Sequence, residues 1–491
     1  MTPRLPEIYG TSLSLLTDLY QLTMAYGYWK QGLADHEAVF HLFFRKNPFK
    51  GGYAVAAGLE HVVGYLENLT LDPDDIEYLA TLCGNDGQPL FDSDFLQMLG
   101  AMEMACSIDA VPEGTVVFPH QPLIRVRGPL LQAQLIETAL LNMVNFQTLI
   151  ATKASRICRA AKGEPVLEFG LRRAQGVDGG LAASRAAYIG GCAATSNVLA
   201  GKVFDIPVKG THAHSWVMSF ETERDAFEAY AEAMPNNCVF LVDTYDTVRG
   251  VQTAVEVGSM LRQRGYEMVG VRLDSGDLAQ LSIDARGILD AGGFPEAAIV
   301  ASNDLSESTI TALKERGATI GVWGVGTKLA TAYEQPALGG VYKLAAIRPG
   351  ADAAWQPKVK LSNQPIKVSN PGILGVRRYM DQDGRFRGDL IHDTAIVPPL
   401  ESDSATAFST SDPDLRIMLD GEFEELLVPI FQAGKRVYEL PPIGAIKART
   451  TDQLQRFAPQ VLRHSAPELY PVGLEAGVQQ LKRELIAKAR G

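Results

Sequence analysis

The apolar positions of this chain change their pattern part-way along it. Up to about residue 150, strand-like and helix-like stretches are mixed: 37–44 and 114–126 predict strands, and 130–153 predicts one long helix. Such a mixture without strict alternation predicts an α+β region. From about residue 164, short runs that are apolar throughout alternate with amphipathic helices. The runs are 165–170, 238–244, 269–275, 298–304 and 318–326, and 249–264 and 306–316 are helices between them. Runs of this kind fit strands buried on both faces of a parallel sheet or an α/β barrel. Beyond Pro398-Pro399, the Ser-, Thr- and Asp-rich stretch 401–414 reads as a linker. After it, 424–439 reads as a hairpin around Ala433-Gly434, and 473–490 as a terminal helix. The expected class is α/β, with an N-terminal α+β domain (1–150), a domain of parallel strands (151–397) and a small C-terminal module (398–491) that packs back on the first.

Composition narrows the function classes. With Lys and Arg totalling 45 and Asp and Glu 57, the net charge is −12, which argues against non-specific nucleic-acid binding. A local cluster of Arg and Lys can still reverse the field inside one cleft. The five cysteines form no C-x-x-C pair, as expected of reduced thiols in the cytoplasm. The first residues lack an apolar signal core, and 130–150 is interrupted by polar side chains. That stretch reads as a buried helix rather than a membrane span. No membrane and no nucleic-acid partner is expected.

The chemistry gathers where the apolar runs end. Asp243, Asp274 and Asp304 are spaced by 31 and 30 residues, the length of one strand-helix unit. In α/β barrels the C-terminal strand ends build the active site. Arg272-Leu-Asp274-Ser-Gly-Asp277 can hold ribose hydroxyls or the Mg²⁺ of a polyphosphate. For one Asp alone a helix N-cap is the commoner role, and repetition at three strand ends reverses that preference. The glycine-rich turn 321–328 can present backbone amides to a phosphate. It is not a P-loop, because Thr327 stands where that motif needs Lys. Gly210-Thr-His212-Ala-His214-Ser-Trp216 holds two histidines, for which packing and function are both open. Lys358 and Lys360 alternate on an expected strand, placing both ammonium groups on one face, which suits a polyphosphate.

Several of these blocks are long enough to be specific. Thr17-Asp-Leu-Tyr-Gln-Leu-Thr-Met24, Phe43-Phe-Arg-Lys-Asn-Pro48, Glu168-Phe-Gly-Leu-Arg-Arg-Ala-Gln-Gly176, Gly210–Trp216, Asp243-Thr-Tyr-Asp246, Arg272-Leu-Asp-Ser-Gly276 and Gly324-Val-Gly-Thr-Lys328 resemble the nicotinate phosphoribosyltransferase family. The resemblance runs in order across 16–375 and is less distinctive in the last hundred residues. It implies an irregular α/β barrel with an α/β sandwich domain, assembled as a homodimer with shared active sites. It also implies nicotinate, phosphoribosyl pyrophosphate and ATP as substrates, with Mg²⁺.

By the same resemblance, His214 would be the phosphohistidine, and Tyr20 (from the partner subunit) and Phe169 would sandwich the pyridine ring. Arg172 and Arg272 would hold substrate anions, and Asp274 the ribose or the Mg²⁺-linked diphosphate. Asn303, Asp304, Gly324, Gly326 and Thr327 would lie at the 5′-phosphate. Arg45, Lys343, Lys360 and Lys367 would lie near the pyrophosphate. Thr195, Ser196 and Asn197 join the substrate-binding set. A nicotinamide-specific relative has an acidic residue where neutral Asn197 falls; a carboxylate there would repel nicotinate, so Asn favours nicotinate. Quinolinate phosphoribosyltransferases are shorter and release carbon dioxide without ATP. A non-catalytic phosphosugar-binding barrel would be marked by loss of His214, Asp274 or Arg272, and all three are present.

Overall fold

The computed structural model describes residues 10–397, 405–412 and 414–490. The chain is mixed α/β and divides into two compact units: the described parts of Met1–Leu149 with Ala337–Gly491, and Ile150–Pro336.

The second unit is built on a six-stranded sheet. Its order is Ala194–Thr195, Val166–Glu168, Val322–Val325, Ala298–Ala301, Gly270–Leu273, Val239–Leu241. Every neighbouring pair is parallel. All six strands therefore end on one edge, and the residues that follow them meet there. Each of the five apolar runs contains one strand. Ala194–Thr195, only two residues long, carried no apolar run to announce it. Five of the helices between the strands start on side-chain caps. Asn197, Thr222, Asp246, Asp277 and Ser306 each accept a backbone N–H of the first turn. Asp277, not Asp274, caps Leu278–Ala291, and Ser306, not Asp304, caps Glu307–Glu315. Asp243 and Asp274 are thereby left for other work.

The first unit contains a seven-stranded sheet, antiparallel throughout, in which Glu37–Phe43 lies between Val341–Arg348 and Ile124–Pro129. Residues 337–397, grouped by composition with the middle part, thus supply strands to this unit. The expected hairpin turns where predicted, with φ of 47° at Ala433 and 79° at Gly434 between paired strands. A six-stranded sheet holds Leu374–Met380 and Phe386–Asp393.

Four local expectations change. The 114–126 stretch is two strands, Val116–Val117 and Ile124–Pro129, not one. The long helix breaks at Ile136 into Leu130–Leu135 and Glu137–Ala160. The break is supported by side chains: the Thr17 hydroxyl donates to the Leu135 carbonyl (3.3 Å), and the Gln21 amide to Glu137 (3.0 Å). Residues 473–475, expected to open the terminal helix, belong instead to the strand Val472–Glu475, which pairs with Phe386–Asp393 and Ala405–Ser409. The linker expectation falls partly on 398–404 and 413, outside the described residues, while Ala405–Ser409 within it is a strand.

Candidate active site

At the common edge of the parallel sheet, Arg272 is the hub. Its Nε donates to Ser302 Oγ (2.8 Å), Nη1 to Thr211 Oγ1 (2.9 Å) and Nη2 to Asp274 Oδ1 (3.0 Å). The strand geometry dictates this: Arg272 and Asp274 are two apart and share a face, and Ser302 follows the neighbouring strand. The Ser302 hydroxyl also donates to Asp274 Oδ1. Burial pushes the Asp274 carboxyl up, but Ser302, Arg272 and His214 outweigh it and hold it below the ordinary value. Asp274 is therefore a carboxylate at neutral pH, with Oδ2 turned to His214.

The two histidines separate cleanly. His212 is buried, its Nε2 accepts the Leu241 N–H (3.2 Å), and its ring packs on Tyr230 with centroids 4.8 Å apart. Burial drives its pKa down to about 4, so it is a neutral packing residue. His214 is 40% exposed, with Nδ1 3.1 Å from Thr244 Oγ1. Its Nε2 lies 3.6 Å from Asp274 Oδ2 and 3.9 Å from Asp243 Oδ1. Asp243 is itself buried; Oδ2 accepts from the Asp274 N–H (3.0 Å) and Ser275 Oγ (2.5 Å), while Oδ1 has no hydrogen-bond partner.

Phe169 stands beside this cluster, half-buried, with the Arg272 guanidinium carbon 5.8 Å from its ring centroid. The glycines explain how the ring fits: a Cβ at Gly324 would meet ring atoms at 2.8 and 2.9 Å. One at Gly326 would lie 3.1 Å from the Phe169 carbonyl oxygen. Thr327 opens a helix of only four residues. Arg172 lies three residues beyond the ring, exposed and without an ion-pair partner among the described residues.

Glu168, overlooked in the sequence, locks this region. Its carboxylate accepts from the Gly170 N–H, Ser184 Oγ (2.9 Å) and Thr195 Oγ1 (2.7 Å). The clue was an acid inside an apolar run, which needs partners when buried. Ser196 donates its N–H to the Glu168 carbonyl (2.9 Å). Asn197 is buried and engaged at both ends: Oδ1 caps Val198–Phe204, and Nδ2 donates to Ser184 Oγ (3.2 Å). Asn303 (φ 95°) and Asp304 are exposed and line a cavity of about 310 Å³ with Asp277 and Arg316.

The remaining expected residues belong to the first unit. Arg45 and Lys360 are close enough to Lys343 that, with burial as the larger cause, they push its ammonium pKa down. These three form one cationic group, although the strand expected at Lys358 and Lys360 ends at Pro357. The two lysines are nonetheless exposed, with half-buried Val359 between them. Lys367 is exposed on a short turn, and Tyr20 is 48% exposed on Leu19–Lys30.

No group of three or more His, Cys, Asp or Glu among the described residues is arranged to hold a metal alone. Mg²⁺ carried by a diphosphate needs only one or two carboxylates, and Asp274 Oδ2 and Asp243 Oδ1 have capacity left. No helix among the described residues is long and apolar enough to cross a membrane.

Comparison with known proteins fits this geometry. The models of the N-terminal and C-terminal domains of nicotinate phosphoribosyltransferase match residues 15–145 and 375–482. The Bacillus subtilis nicotinate phosphoribosyltransferase is 44% identical, covering 98% of this chain and 96% of its own. The Caenorhabditis elegans one is 37% identical, covering 96% and 93%. The crystal structure of human nicotinic acid phosphoribosyltransferase superposes with a TM-score of 0.83 at 34% identity, covering 96% of this chain and 99% of that one. Identity of this order along nearly the whole length, with a matching fold, means that the chain belongs to the nicotinate phosphoribosyltransferase family.

Proposed function

We propose that the chain joins nicotinate to 5-phosphoribosyl 1-pyrophosphate, giving nicotinate mononucleotide and pyrophosphate, and that ATP hydrolysis is coupled through a phosphate on His214. The observation that carries the reading is the Arg272–Asp274–His214 constellation beside Phe169 at one sheet edge. The family functions in NAD biosynthesis.

The pyridine nitrogen supplies the attacking electron pair, so no protein nucleophile is needed at the sugar. As the bond to nitrogen forms, the C1–O bond breaks and its pair leaves on the pyrophosphate. Positive charge grows on the ribose, and Asp274, kept ionised by Arg272 and Ser302, is placed to stabilise it. Phe169 gives the flat base one face, and Arg172 and Arg272 take up anions. Mg²⁺, when bound with the diphosphate, neutralises charge on the leaving group. Arg45, Lys343, Lys360 and Lys367 supply further cations for it. In the tautomer where His214 Nδ1–H donates to Thr244, Nε2 holds the lone pair. It can then take the γ-phosphoryl group as ADP leaves, and water later returns it as phosphate.

The architecture that goes with this reading is an irregular α/β barrel with an α/β sandwich, in a cytoplasmic homodimer. Leu19, Tyr20 and Met24, exposed on Leu19–Lys30, and Leu16, exposed just before it, support the dimer. That face suits a second copy, with Tyr20 reaching its neighbour's base.

The test is a product assay with phosphoribosyl pyrophosphate and either nicotinate or nicotinamide, with and without ATP. Nicotinate mononucleotide should form, faster with ATP, and kcat/KM for nicotinamide should be lower by about 100-fold or more. Comparable values for the two bases would overturn the assignment.

A further inference from the structure

The first unit contains a cavity of about 530 Å³ whose described lining includes no carboxylate. Into it face three basic side chains from distant parts of the chain: Arg45, His120 and Lys482. Lys482, on Ala476–Arg490, donates to the Asn370 amide oxygen (2.8 Å) and has no ion-pair partner among the described residues. Arg45 likewise has none. His120 sits at φ 68°, a left-handed conformation that costs a non-glycine residue energy, and its ring feels both Lys482 and Arg45. Phe118 and Tyr470, stacked with centroids 4.3 Å apart, also line it.

Partly buried cations without a counter-charge are costly, and proteins normally pair them. A bound anion would offset the charge of Arg45 and Lys482. We propose that this cavity is an anion site in its own right, taking the phosphate of a small phosphorylated molecule with its organic body against the apolar wall. Arg45 is shared with the cationic group assigned above to the pyrophosphate; Lys482 and His120 belong to the cavity alone, so the proposal is tested on Lys482.

Burial pushes the Lys482 ammonium down to about 8. His120 is pushed to about 4 by burial and by Lys482 and Arg45, so at neutral pH it offers one N–H and no charge. An anion would raise the Lys482 value, so binding should strengthen as pH falls through about 8.

The experiment is reductive methylation of the full-length protein at pH 8, with each lysine followed by peptide mass spectrometry. Lys482 is then about half neutral, against well under about 1% for an ordinary lysine of pKa about 10.4. In sodium chloride it should react about tenfold faster than the median lysine. Inorganic phosphate or ribose 5-phosphate at matched ionic strength should slow it about fivefold. Protection by both probes assigns the oxyanion alone, and by ribose 5-phosphate only, the organic body as well. The protection should persist in Lys343→Ala, which removes a cation of the pyrophosphate group and none of the cavity lining. A Lys482 no more reactive than its peers, rates equal in phosphate and chloride, or protection lost in Lys343→Ala would each overturn the proposal.

Discussion

Replacing Gly324 by Ala tests whether Phe169 is the face that receives the base. The added Cβ would sit 2.8 and 2.9 Å from Cδ2 and Cε2 of the ring, and 3.4 Å from Ser302 Cβ. Carbon atoms rest at about 3.5–4.0 Å, so the ring must retreat by about 0.7 Å or change rotamer. An aromatic stack is worth about 0.5–1.5 kcal/mol beyond its area, and losing it converts to about 2- to 12-fold in affinity. The overpacking itself should cost about 1–3 kcal/mol of stability. Steady-state kinetics with nicotinate varied should therefore show KM rising within that range while kcat changes less. Gly321→Ala is the control, because its Cβ would meet nothing within 4 Å. In a Phe169→Ala background the Gly324→Ala effect on KM should vanish. A Gly324→Ala enzyme with lowered melting temperature and unchanged KM would refute the placement of the base on Phe169.

Asn197→Asp removes the donor to Ser184 and puts a carboxylate beside the Glu168 network; kcat/KM for nicotinate should fall about tenfold or more, and for nicotinamide less, in parallel assays. Burial, with Asp246 and Asp243, raises Glu223 from 4.5 to about 7, so its contribution to stability is complete below pH 4.5 and lost as pH rises through about 7. Glu223→Gln should lose less stability than the parent across that window, and parallel urea-midpoint curves would contradict this. Tyr20→Ala and Asp274→Ala chains, each inactive, should recover about one quarter of parental activity after random subunit exchange, since half the dimers are hybrids with one intact site. No recovery despite demonstrated exchange would argue against shared sites.

The parallel sheet was legible because its strands are buried on both faces and read as unbroken apolar runs, as in Cys238–Val242. What escaped was non-local. Pairing of Glu37–Phe43 with Val341–Arg348 joins residues about three hundred positions apart, which no local periodicity records. The break at Ile136 depends on Thr17 and Gln21 of another helix.

The site shows the same division. Repetition of Asp at successive strand ends pointed to Asp243 and Asp274, and the structure shows why they are not caps: Asp246 and Asp277 do that work. Sequence left His212 and His214 open, since only packing tells a ring that accepts the Leu241 N–H from one that faces two carboxylates. Asn197 was expected for its neutrality, but its role as cap and donor to Ser184 needed the fold. Gly324 was expected in a turn that cradles a phosphate, and the fold adds that its missing side chain makes room for Phe169.

The proposed coupling of phosphoribosyl transfer to ATP runs through His214 at this strand-end site. The most direct measurement follows radiolabelled γ-phosphate in parent, His212→Ala and His214→Ala proteins, while nicotinate mononucleotide is counted in the same tubes. Label should be retained on the parent and on His212→Ala. His214→Ala should retain none and hydrolyse no ATP, yet still form some nicotinate mononucleotide independently of ATP. Label that persists in His214→Ala and disappears in His212→Ala would place the phosphate on His212 and contradict the coupling through His214.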